Sequence, residues 1–198
     1  MSPSTTERRS HREILAGIVM PIAAFLLVGL LVMGTSRAAF FDITENTGNT
    51  FAAGDVVLTD DDSDAAMFTV SDMAPGDSAT KCIAVTYEGS LTPADIEMYV
   101  LAGDLTGTGL ADYLDLTVEL GTGGSFADCT GFSGATVYSG ELGAFAATNV
   151  DFASGAGSWT AAATNDARTY RFTFALQDEN AAQGLGSGVT FTWEAQNQ

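Results

Sequence analysis

Histidine occurs once in these 198 residues, as His11, and basic residues number only seven. Arg8, Arg9, Arg12 and Arg37 precede Ala39, which leaves Lys81, Arg168 and Arg171 for the rest of the chain. Of the 25 acidic residues, only Glu7 and Glu13 precede Ala39, so 23 acids stand against three bases beyond it, a net charge of −20. So acidic a body repels phosphate backbones and anionic lipid, which excludes nucleic acid as a partner. Without histidine beyond position 11 it has no ordinary base to activate a serine or threonine and no imidazole for a zinc site. Cysteine is scarce too: Cys82 and Cys129, with no CxxC pair. No long helical period appears after residue 33, so a helical bundle is excluded as well.

The one long hydrophobic run is Ile14–Met33, twenty residues without a charge. Arg8, Arg9 and Arg12 in front of it keep its N-terminus in the cytoplasm. Two readings stay open: a retained anchor of spanning length, or the apolar region of a signal peptide. Ser36-Arg37-Ala38 offers small residues at −3 and −1, which favours signal peptidase cleavage between Ala38 and Ala39. In either case the body is expected outside the cell, touching membrane only through residues 14–33 before cleavage. There an even cysteine count reads as one disulfide, Cys82 with Cys129, against the alternative of two buried thiols.

The body reads as strands and turns. Residues 50–90 carry three apolar runs, Val56–Leu58, Ala66–Val70 and Ile83–Tyr87, separated by acidic and Pro-Gly punctuation. In Ala74-Pro75-Gly76-Asp77, Pro75 presets φ and Gly76 supplies the positive φ of a type II turn. A strand is predicted from Thr80 to Tyr87, with Ile83, Val85 and Tyr87 on one face and Cys82 on the other. Ala94–Leu101, Leu114–Leu120, Thr136–Leu142, Tyr170–Leu176 and Val189–Ala195 follow, most of them with a period of two. Leu110–Tyr113 reads as one helical turn, Gly121–Gly157 as the least regular region and Asp178–Gly188 as a loop. About eight strands with one apolar face each imply an all-β, two-sheet antiparallel sandwich behind a hydrophobic signal helix. Spacing alone leaves jelly-roll and immunoglobulin-like topologies open. The expected divisions are 1–38 for signal peptide or anchor, 39–49 for an extended segment, and 50–198 for the sandwich.

No catalytic, cofactor-binding or metal-ligating set emerges. Asp60, Asp62 and Asp64 start like a calcium loop, but Ala65 and Ser71 stand where glycine and glutamate are needed, so they read as a solvated acidic turn. A second partial match from Asp104 to Asp115 has Thr106 and Thr108 at ligand positions. Glu88 with Glu97, or Asp178 with Glu179, lack the aromatic cleft a glycosidase needs. Trp193 falls on a core face, whereas Trp159, in a Gly/Ser-rich stretch, is a candidate surface or sugar contact.

Several segments together resemble the TasA–camelysin family. They are Arg37-Ala38-Ala39-Phe40-Phe41-Asp42, Thr50–Leu58, Met73-Ala74-Pro75-Gly76-Asp77 with Thr80-Lys81, Glu88–Leu91, and the closing Val189–Ala195. The resemblance implies a SipW-type signal peptide, a secreted jelly-roll sandwich and, for TasA-like members, assembly into extracellular biofilm-matrix fibres. In such fibres the segment after the signal peptide joins the next subunit as a strand. That makes Phe40, Phe41 and Ile43 the expected donor residues and a second copy of the chain the expected partner, in a head-to-tail homopolymer. A monomeric secreted or anchored binding module is the alternative. Some members carry a metallopeptidase label, which sits poorly with a body that has no histidine.

Overall fold

The longest apolar alternation in the sequence forms the centre of a sheet. Asp166–Leu176 is strand β9, with Tyr170, Phe172, Phe174 and Leu176 buried on one face. It pairs antiparallel on one side with β3 (Ser78–Tyr87) and on the other with β6 (Leu114–Thr122). Short β2 (Leu58–Asp60) and edge strand β7 (Ser133–Glu141) complete the order β2-β3-β9-β6-β7. The second sheet has the order β1-β11-β4-β8, from Phe41–Thr44, Thr192–Asn197, Ala94–Tyr99 and Ala156–Ala161. A ribbon of β5 (Leu105–Gly107) and β10 (Ser187–Val189) stands apart from both. This computed structural model describes residues 41–44, by their backbone, and 55–198. The segment Ile14–Met33, the cleavage point Ala38–Ala39 and Phe40 lie outside the described residues. So does the link 45–54.

The two sheets share one core. Ile83, Tyr170 and Phe172 from the larger sheet meet Ile96, Met98, Trp193 and Ala195 from the smaller one. Trp193 stands edge-on to Tyr170 and Phe172 at centroid distances of 5.7 and 6.3 Å. The Tyr170 hydroxyl is satisfied inside this core by donating to the Gly157 carbonyl at 2.8 Å. Burial pushes that phenol's pKa up, and the Trp159 and Trp193 indoles partly oppose the shift. Gly157 has φ +71°, and a Cβ there would run into the Tyr170 ring, so glycine is what lets β8 approach so closely.

The Pro-Gly turn forms as its residues dictate. Gly76 has φ 84°, and Asp77 N–H donates to the Ala74 carbonyl at 2.9 Å. Other expectations need correction. Ala66–Val70 forms no strand, because the chain turns out of the sheet at Asp62–Ala65, with Ser63 and Asp64 at positive φ. Val189–Ala195 is not one strand: β10 pairs with β5, and β11 begins only at Thr192. The irregular region holds a longer β7 than predicted, a helix α1 (Leu142–Thr148) and β8, neither of which was expected. Trp159 lies in β8, is 7% exposed, and has the Arg168 guanidinium 5.3 Å over its ring. That burial removes the sugar-contact reading. Among the described residues no helix is long and apolar enough to cross a membrane.

Candidate functional site

Two strand ends define an opening at one side of the sandwich. β1 is an edge strand whose one partner in the sheet is β11; Phe41 pairs with Gln196, Ile43 with Glu194, and the last pair is Thr44 with Trp193. Across the gap between sheets lies β2, which ends at Asp60, opposite Val85. Beyond that point β3 has no strand neighbour on this side among the described residues. The Ala84 N–H, which a longer β2 would have paired, donates instead to the Asp61 carboxylate at 2.8 Å.

A cavity of about 380 Å³ opens beside the end of β2. Its walls include Ile83, Leu114, Leu142 and Phe174, with Trp193 from the second sheet. The 65–73 segment lies across it with Met67 and Phe68 half-buried, and Phe68 stands edge-on to Phe174 at 4.8 Å. Asp60 and Asp62 supply the acidic part of its lining. Asp62 is only 8% exposed, which corrects the expectation of a fully solvated acidic turn. The turn is shaped by its own carboxylates: Asp62 N–H donates to Asp60 Oδ1 at 3.3 Å, and Asp64 N–H to Asp62 Oδ1 at 2.8 Å.

Burial pushes the Asp60 carboxyl up to about 6, helped by its hydrogen bond to the Asp62 side chain and by the charges of Asp62 and Asp61. Folded Asp60 therefore holds its proton up to about pH 6, and the unfolded chain only up to about 3.8. Between these values the native state binds more protons, so stability falls as pH rises through that window. Asp60 is partly exposed, and solvent screening reduces the nominal shift to about 1 kcal/mol. Asp60→Asn is thus expected to gain about 1 kcal/mol over the parent at pH 7 relative to their difference at pH 4. Urea denaturation at both pH values checks this; a difference that does not change with pH contradicts it.

The outer face of the large sheet is covered where the second feature lies. Cys82, fully buried, is bonded to Cys129 with 5.4 Å between the Cα atoms. Phe126 N–H donates to Asp61 at 2.8 Å, Lys81 stands 5.2 Å over the Phe126 ring, and Arg171 lies over Phe132. Arg171 also forms an ion pair of 2.6 Å with Glu119. On the outer face of the small sheet, Glu194 and Glu97 sit directly opposite each other. Glu194 accepts from the Tyr99 hydroxyl at 2.8 Å, and burial raises the pKa of Glu97.

The structure gathers Asp60 and Asp62 at the cavity but sends Asp64 to the exposed side of the turn. Glu88, Glu97, Asp178 and Glu179 do not line the cavity. Reading the sequence missed the cavity itself, since its walls come from positions as distant as Asp60 and Trp193.

Residues 12–108 match the family described as camelysin metallo-endopeptidase. This match, just under half of the chain, agrees with the resemblance to the TasA–camelysin family. No curated protein matches it. The metal implied by that family's description finds no fitting set of donors among the described residues. The chain's single histidine is His11, its two cysteines are bonded to each other, and among the described residues no three His, Cys, Asp or Glu side chains gather as a metal site would require. No hydrolytic step is derived through such an ion.

Proposed function

We propose that the protein is an exported structural subunit of an extracellular surface or biofilm-matrix fibre. In this reading it is a jelly-roll sandwich, released by signal peptidase after Ala38, whose N-terminal strand joins the next copy. The observation that carries the reading is the place of β1. It is four residues long, sits at the sheet edge with β11 as its one strand partner, and is the first of the described elements. The edge of β11 that receives β1 within one chain is therefore the edge that would receive β1 from a neighbour. Exchange keeps every pairing and changes only which chain supplies the strand. In this reading residues 45–54 would form the link between the two positions. Because donor and acceptor lie on one chain, the contact is heterologous and extends into a filament.

The test compares a chain beginning at Ala39 with one beginning at Asn49, by gel filtration and negative-stain electron microscopy. The described core lies entirely within 56–195, so the shorter chain is expected to keep its β-sheet circular dichroism and to elute as a monomer. The longer chain forms filaments. If both polymerise, strand donation is wrong. If neither does, the monomeric binding module takes its place, a reading that the cavity beside Asp60 favours.

A further inference from the structure

We propose that the cavity beside the end of β2 is a binding site for an amphiphilic ammonium. Its hydrocarbon chain would lie against Phe174, Leu114 and Leu142, and its cationic head at the carboxyls of Asp60 and Asp62.

Size and wall chemistry set the ligand class. A volume of about 380 Å³ falls within the range of small-molecule pockets and is too small for a folded partner. At about 30 Å³ for each water-sized group it holds roughly a dozen heavy atoms. The walls include Met67 and Met73, whose unbranched side chains adapt to a flexible hydrocarbon. The 65–73 segment, whose Met67, Phe68 and Met73 are half-buried, belongs to no strand.

Charge sets the head group. Among the described residues of the lining, Asp60 and Asp62 are the only ionisable ones, and both are acids. None of the body's three basic side chains reaches the cavity: Lys81 covers Phe126, Arg168 covers Trp159, and Arg171 pairs with Glu119. The two carboxyls stand on one turn at the cavity, Asp62 N–H donating to Asp60 Oδ1 at 3.3 Å. An ammonium supplies a positive charge with three donors and carries an apolar tail for the walls. A body of net charge −20 draws cations towards this mouth and repels carboxylates and phosphates. A bare divalent cation fits less well, since no third acidic, cysteine or histidine ligand joins the pair among the described residues. The cavity shares Trp193 with the β11 edge proposed to exchange strands, but ligand binding and filament formation are read by separate experiments.

Isothermal titration of the protein purified from its producing cells tests the assignment. The probes are dodecylammonium, dodecanol, dodecanoate and calcium, each organic probe kept below its micelle concentration. Dodecylammonium is expected to bind one per chain, at least tenfold tighter than dodecanol, and dodecanoate not to bind. Asp60→Asn with Asp62→Asn removes the preference for the amine but leaves dodecanol binding in place. Ala79→Phe, a cavity-filling change in the wall, weakens both. Retained folding of each variant is checked by circular dichroism. Equal affinity for amine and alcohol overturns the proposal. So does amine binding at many sites that ignores these substitutions, or calcium binding that depends on both aspartates while the amine does not bind.

Discussion

Replacing Cys82 and Cys129 together by alanine lowers the unfolding free energy by about 4 kcal/mol and the melting temperature by roughly 10 °C. The two positions are 47 apart in sequence, and closing a loop of that length removes about this much chain entropy from the unfolded state. In the folded state the bond fixes the 123–132 loop over the outer face of β3 and β9. That loop is held otherwise by few long-range contacts, chiefly Phe126 to Asp61, Lys81 on Phe126 and Arg171 on Phe132. Gly123, Gly124 and Gly131 all have positive φ, so the segment has much freedom to lose and little intrinsic order. Because either substitution breaks the bond, each single variant is expected to lose nearly as much as the double. Thermal unfolding of all three checks this, alongside mass spectrometry of the non-reduced protein. Single effects that add up to the double, or a loss below about 1 kcal/mol, contradict it.

Phe172→Ala is expected to cost about 3–5 kcal/mol, a large part of the stability of an ordinary domain. Phe172 is fully buried on β9, the middle strand of its sheet. Its ring packs at 4.7 Å on Phe191 and at 6.3 Å, edge-on, against Trp193 of the opposite sheet. Truncation therefore opens a void between the two sheets where neither can collapse onto the other. Phe172→Leu keeps much of the volume and is expected to cost about 1–2 kcal/mol. Urea denaturation with unchanged slope reads both values. A loss below about 1 kcal/mol for alanine would mean that this ring does not join the sheets.

The large sheet was legible because its strands alternate large apolar residues with charged or hydroxyl ones. Leu114, Leu116 and Val118 against Asp115, Thr117 and Glu119 admit no other face. The turn at Pro75-Gly76 was legible because only a few residues suit its dihedrals. What stayed hidden has equally physical reasons. Helix α1 buries only Leu142 and Phe145, one i,i+3 pair, which is too short a run to show a period. Gly143 sits inside that helix, and a Cβ there would press on Asp112 of the preceding 3₁₀ turn. Space, not helical propensity, explains that glycine. β8 is built from Ala156, Gly157 and Ser158 before Trp159, so its only strong strand signal is one ring. Asp62 was read as solvated because an acidic run usually is, and the cavity it lines is closed by residues as distant in sequence as Trp193.

The exchange of the N-terminal strand is tested most directly by filament formation of a chain from Ala39 carrying Phe41→Asp and Ile43→Asp. The two substitutions leave every described core residue in place. They put charge on the one segment that must pair with a neighbour's β11, next to Glu194 and Gln196 in the register. The account predicts a folded monomer by circular dichroism and gel filtration, with no filaments under the electron microscope where the parent chain forms them. Filaments from the variant at the parent's rate and length would contradict it.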